Sequence, residues 1–179
     1  MSPLPTAIPA AARDFRHVLG HVPTSVCVVT ATGPEGPVGL TVGSFTSVSL
    51  DPPLVVFYAT HTSVSAAAVI AAGRFCVNVL ADDQEHVCAS FARRGADRFA
   101  TGEWDLTGRA APRLAGAAAW IECDLEETLP AGDHVAVLGR VRELAAAGRD
   151  PLVFHRGRLA RLAEAVRPAP VRCFDWWED

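Results

Sequence analysis

The chain has 179 residues, a length that suits one domain with a real core. Half of them are apolar, yet no apolar run approaches the ~20 residues of a membrane span. The formal charge of −4 and the pI of about 5.8 argue against a nucleic-acid or membrane-surface protein. The five cysteines, Cys27, Cys76, Cys88, Cys123 and Cys173, are odd in number, widely spaced and lack any C-x-x-C, which speaks against a disulfide framework or a zinc ribbon. A reducing cytoplasm is the expected setting. The Pro- and Ala-rich start, residues 1–12, has no basic segment followed by an apolar one, so no signal peptide is expected.

In chain order, Asp14–Leu19 reads as a short helix and Val26–Thr30 as a β-branched strand. Gly33–Pro37 has turn chemistry and joins that strand to a second, Val38 to about Gly43. Ser44–Ser49 reads as a hydroxyl-rich continuation, broken sharply by Asp51-Pro52-Pro53, before an apolar strand at Leu54–Ala59. Thr62–Ala72 is a helix capped by Thr62 or Ser63 and closed by Gly73. Phe75–Leu80 is a strand. A further helix, capped by Asp82 or Asp83, runs to about Arg93 and ends at Gly95. Asp97–Leu114 is an irregular excursion carrying Phe99 and Trp104. Strands follow at Ala117–Thr128, Val135–Leu144, Leu152–His155 and Arg158–Leu162. About seven strands without regular strand–helix alternation disfavour a doubly wound α/β fold and fit an antiparallel barrel with helical excursions. The expected organisation is a flexible arm at 1–13, one domain at 14–165 and a Pro/Trp-containing tail at 166–179.

Several motifs are missing. No G-x-G-x-x-G follows the first strand, and there is no P-loop, so neither usual glycine-rich phosphate cradle is present. His17 and His21 share an i, i+4 spacing without the Glu of a zinc protease motif or a third ligand, and no metal site is expected. No nucleophile–base pair is recognisable.

The informative stretch is Gly39–Leu54, which packs hydroxyls at Thr41, Ser44, Thr46, Ser47 and Ser49 and then stops at Pro52-Pro53. Hydroxyls and free N–H groups at a strand end suit a phosphate or the edge of a polar heterocycle. The same composition also suits an ordinary strand, because Thr is a good β-former. Arg93, Arg94 and Arg98 read as a solvated helix end, or as attractors of a dinucleotide phosphate. Trp104 and Trp120 read as core or interface aromatics, and Trp176-Trp177 as a pair that buries against something.

This stretch resembles the flavin-binding signature of the flavin reductase-like family. The likeness continues in order through Val22–Val26, Phe75–Leu80 with Gln84, Phe91-Ala92, Ala131–His134 and Pro151–Gly157. It implies a mainly β fold with short helices, the antiparallel FMN-binding split barrel of Greek-key type. It also implies that Thr41, Val42, Gly43, Ser44 and Phe45 contact the flavin ring and ribityl chain. Ser47, Ser49, Thr60, His61 and Ser63 match positions near the ribityl phosphate, and Asn78, Leu80 and Gln84 match the far wall. Phe154 joins the cofactor contacts. Asp133 and His134 match the turn where nicotinamide stacks on the flavin, which makes His134 the catalytic candidate. Two positions depart from the family pattern: Gly43 stands where Asn is usual and Ser25 where Gly is usual.

The implied activity is that of an NAD(P)H:flavin oxidoreductase, with NADH expected over NADPH. It would use exchangeable FAD or FMN as a homodimer and hand reduced flavin transiently to a separate monooxygenase. Direct hydride transfer between cofactors needs no acid–base dyad, in keeping with the finding of none. The alternatives are a non-catalytic flavin- or haem-binding carrier or sensor, and a pyridoxamine phosphate oxidase-like enzyme, which would call for more basic residues.

Overall fold

The computed structural model describes residues 10–93, 97–106 and 111–162. In chain order these form α1 (Ala10–Leu19), β1 (Thr24–Ser25), β2 (Cys27–Gly33), β3 (Gly36–Val42), β4 (Thr46–Leu50), β5 (Pro53–Thr60), α2 (Val64–Ala72), β6 (Arg74–Val79) and α3 (Glu85–Ala92). A 3₁₀ turn at Arg98–Ala100 follows, then β7 (Trp104–Asp105), β8 (Arg113–Leu114), β9 (Ala119–Ala131), β10 (His134–Ala146), β11 (Val153–His155) and β12 (Arg158–Ala160).

The main sheet has the strand order β3-β2-β6-β9-β10-β5-β4, and every pairing in it is antiparallel. β3 and β4, consecutive in sequence, are its two edges. The sheet curls until β3 approaches β5, the neighbour of edge strand β4. The hydroxyl of Ser44 accepts from Tyr58 N–H (3.0 Å) and donates to the Tyr58 carbonyl (3.1 Å) on β5. The result is a split barrel.

Strand alternation sorts the apolar side chains into two cores. Cys27, Val29 and Ala31 of β2 point into the barrel with Phe57, Phe75, Val77 and Val137. Val26 and Val28 point the other way, under α3, with Leu80, Val87, Phe91 and Leu152. On β3 the same parity sends Val38, Leu40 and Val42 into the barrel. It leaves Gly39, Thr41 and Gly43 facing α3. The bare Gly39 permits close packing, because a Cβ there would lie 2.9 Å from the Phe91 ring and 2.8 Å from the Val29 carbonyl.

Some sequence expectations shift. α1 begins at Ala10, because Ala is a strong helix former. Ser44–Ser49 is not a continuation of β3: the chain turns at Ser44-Phe45 and β4 pairs with β5 at the opposite edge. α2 is capped by Ser63, whose Oγ accepts from Ala66 N–H, and Gly73 closes it at φ +70°. α3 starts after Gln84 and is not capped by Asp82 or Asp83. Asp83 instead pairs with Arg149 at 2.5 Å. More strands form than the seven expected, since pieces of two or three residues carry no readable period. Trp104 packs against Phe91 and Phe99, while Trp120 lies beneath the Arg113 guanidinium, 3.4 Å from the ring centroid. Arg94, Gly95, Cys173 and Trp176-Trp177 lie outside the described residues. No helix among the described residues is long and apolar enough to cross a membrane.

Candidate active site

Two clefts flank the end of β3. The first, about 550 Å³, lies between Leu40–Ser44, Tyr58–Thr60 of β5, Ser63 and Ser65 at the start of α2, Arg98 and His134. The second, about 450 Å³, is walled by Val26, Cys88, Ala89, Ala92, Phe154 and Leu159, and shares Thr41, Val42 and Gly43 with the first. One cleft is lined by hydroxyls, an imidazole and a guanidinium, and the other is almost wholly apolar.

The backbone prepares the shared strip. The Gly39 carbonyl accepts from Arg98 at 2.9 Å, so it faces the open edge of the sheet. Two residues on, the N–H and C=O of Thr41 face the same way, unspent by the β2–β3 ladder. The Thr41 hydroxyl oxygen is buried and has no hydrogen-bond partner among the described residues. Such a group is costly to leave unmet and is satisfied when a polar ligand edge arrives.

Arg98, which the sequence left between a solvated helix end and an attractor of a dinucleotide phosphate, lines this cleft. It does not sit at a solvated helix end. The 3₁₀ turn, capped by Asp97 through Phe99 N–H (3.1 Å), folds back on β3. There Arg98 Nη1 donates to Ser65 Oγ (2.6 Å) as well as to Gly39. Its Nε and Nη2 hydrogens, and its positive charge, have no partner among the described residues. With the N-terminus of α2 beside it, this corner suits an anion.

At the opposite corner, β5 and β10 pair Thr60 with His134, and His61 N–H donates to the Asp133 carbonyl at 3.3 Å. Gly132, at φ +68°, makes the tight β9–β10 turn. His134 Nδ1–H donates to Asp133 Oδ1 at 2.5 Å, which fixes the ring and leaves Nε2 available. The hydrogen bond and charge of His134 hold the Asp133 carboxyl below its usual range.

The structure therefore brings Thr41, Val42, Gly43, Ser44, Thr60, Ser63 and His134 to one cleft and Phe154 to its neighbour. Other expected residues lie elsewhere. Phe45 packs on the barrel core, and Ser47 and Ser49 are on edge strand β4. Leu80 is buried beneath α3. Asn78 is fully buried: its amide donates to the Val28 carbonyl and Thr30 Oγ1, both at 3.2 Å, and its Oδ1 accepts from Leu114 N–H at 2.8 Å. It fastens β8 over the sheet. Gln84 accepts from Ala81 N–H and donates to the Ala115 carbonyl, facing a separate cleft. Among the described residues no group of three or more His, Cys, Asp or Glu is placed to hold a metal ion.

Comparison with known proteins follows the same lines. A flavin reductase from Pseudomonas putida is 49% identical over 145 residues, covering 80% of this chain and 85% of that one. The reductase subunit HsaB of a flavin-dependent monooxygenase from Rhodococcus jostii is 42% identical over 162 residues, 89% and 83% of the two chains. The crystal structure of nitrilotriacetate monooxygenase component B from Mycobacterium thermoresistibile superposes with a TM-score of 0.88 at 38% identity, covering 97% and 98%. Residues 19–163 match the flavin reductase like domain, and the chain belongs to that family.

Proposed function

We propose that the chain is an NADH:flavin oxidoreductase that reduces an exchangeable flavin and releases it to a separate flavin-dependent monooxygenase. The observation that carries this reading is the pair of clefts sharing Thr41–Gly43, polar on one side and apolar on the other. A flavin ring has the same division, with a polar pyrimidine end and an apolar dimethylbenzene end. The orphaned Thr41 hydroxyl and the open backbone edge at Thr41 fit the polar end, while Val26, Ala89, Ala92, Phe154 and Leu159 fit the apolar end. Arg98, Ser65 and the start of α2 receive the phosphate of the ribityl chain.

When bound, the flavin supplies the hydride acceptor, and the nicotinamide is the donor. The protein's part is orientation. Hydride transfer needs the two rings stacked at about 3–3.5 Å, so the cleft must hold both planes at once. His134, fixed by Asp133, presents Nε2 to the nicotinamide carboxamide. Among the described residues of the two clefts Arg98 is the one guanidinium. With Arg98 committed to the flavin phosphate, none remains for a 2′-phosphate, which favours NADH over NADPH. Burial raises the thiol pKa of Cys88, the cysteine in the apolar cleft, so it is a poor nucleophile for covalent flavin attachment.

The working form is a cytoplasmic two-fold homodimer. Edge strand β4 carries Val48 and Leu50, the latter 77% exposed, and Tyr58 beside it is 42% exposed. An apolar edge of this kind calls for a second copy.

Purified protein mixed with flavin and NADH should consume NADH only when both protein and flavin are present. His134→Ala should leave flavin affinity within twofold while raising KM for NADH, lowering kcat, or both. Normal kcat and KM in a variant of lowered melting temperature would remove His134 from the site and make it a cap of the turn.

A further inference from the structure

β5 supplies the polar cleft with an aromatic ring, that of Tyr58, which has no part in the flavin contacts described above. Phe57 and Ala59 point into the barrel, so strand alternation sends Tyr58 and Thr60 to the outer face. On β10, Val135 and Val137 point inward, so His134 and Ala136 share that outer face. The register sets Tyr58 opposite Ala136 and Thr60 opposite His134. Tyr58 and His134 are thus diagonal cross-strand neighbours, about 7–8 Å apart. Ala136, directly opposite Tyr58, ends at a methyl group and leaves room for a planar ring beside the phenol. The fold itself uses the backbone of Tyr58: the Ser44 hydroxyl accepts from its N–H and donates to its carbonyl. The residue remains 42% exposed.

The Thr41–Gly43 strip takes the flavin from the β3 side of the cleft, and His134 meets the nicotinamide from the β5–β10 side. A ring beside His134 therefore stands on the nicotinamide side. We propose that Tyr58 is a nicotinamide-binding residue, its phenol ring packed on the nicotinamide face turned away from the flavin. This rests on the flavin reductase reading of the two clefts. The hydride leaves from the face that meets the flavin, so the phenol holds the donor in the stack without entering the transfer. An offset-stacked aromatic pair is worth about threefold to tenfold in affinity beyond the area it buries. The ring carries this effect, and the hydroxyl is dispensable.

Tyr58 is the single tyrosine of the chain, so protein made with fluorotyrosine gives one fluorine resonance. Saturating NAD+ added to the FMN-loaded protein should shift that resonance by more than FMN alone does. A resonance that answers to FMN and not to NAD+, or to neither, overturns the proposal. Steady-state kinetics give a second readout. Tyr58→Leu keeps apolar bulk and loses the ring, and it should raise KM for NADH by about threefold to tenfold with FMN affinity within twofold. Tyr58→Phe, which keeps the ring, should recover most of that loss. A Phe variant as impaired as the Leu variant would assign the effect to the hydroxyl and overturn the proposal. So would a Leu variant with unchanged KM, one that weakens FMN, or one that light scattering shows has lost its dimer, which would make Tyr58 an interface residue. Failure of the unaltered protein to oxidise NADH with any flavin overturns the reductase reading itself, an outcome distinct from an active enzyme indifferent to Tyr58.

Discussion

Replacing Arg98 with alanine should separate phosphate recognition from ring recognition. The side chain lines the polar cleft, holds the Gly39 carbonyl at 2.9 Å and Ser65 Oγ at 2.6 Å, and has three further N–H donors free among the described residues. Hydrogen bonds from a charged donor contribute about 1.5–3 kcal/mol each. Arg98 is only half-buried, so the lower part of that range applies, and solvent screening discounts it further. A loss of about 1.5–2 kcal/mol corresponds to FMN binding weakened roughly tenfold to thirtyfold. Riboflavin has no phosphate and should change by less than about twofold, since the Thr41–Gly43 strip stays in place. The fold loses two contacts at a wet sheet edge, about 1 kcal/mol, which lowers the melting temperature by only a few degrees. Quenching of flavin fluorescence on titration, with both ligands and both proteins, gives the four affinities of the cycle. Equal weakening of riboflavin and FMN would refute the assignment and make Arg98 a brace for β3.

Thr41→Val keeps the shape and removes the orphaned hydroxyl, so the flavin-free protein should be as stable or slightly more so, while flavin affinity falls by about threefold to tenfold; unchanged affinity by titration would place the polar ring edge elsewhere. Ser44→Ala loses both bonds to the Tyr58 backbone and should cost about 1–2 kcal/mol of stability by denaturant unfolding, with any loss of flavin affinity following from the loosened turn between β3 and β4; full stability would mean that this turn does not need its clasp on β5. Burial pushes the Cys27 thiol up to about 11 and Cys123 up to about 12, so at pH 8 their thiolates are on the order of one in a thousand or fewer. Iodoacetamide should therefore label half-buried Cys88 well before either of them, and mass spectrometry showing Cys27 or Cys123 modified first in the folded protein would contradict the packing.

Much of the sheet is legible in the sequence, because β-branched runs such as Val26–Thr30 and Leu54–Ala59 have few other ways to fold. The β9–β10 turn is legible for a local reason: Gly132 supplies the positive φ that places His134 at the head of β10. What lies across a strand from its own neighbours is not legible. Asn78 alternates onto the face opposite Phe75 and Val77, but only the folded chain shows that β8 covers that face and takes up the amide. Ser44 reads as a hydroxyl near a ligand. Its partner is Tyr58, fourteen residues away on β5, beside the far edge of a curled sheet, and that contact has no local signature. Arg98 looks like any Arg after a helix until the 3₁₀ turn returns it to β3.

The most direct test of the account is anaerobic mixing of the protein, stoichiometric flavin and NADH deuterated at the transferring carbon, followed at the flavin visible band. The account predicts one NADH consumed per flavin bleached, a rate that depends on the protein, and a primary isotope effect on the bleaching. Flavin that binds yet stays oxidised would contradict it and make the chain a carrier.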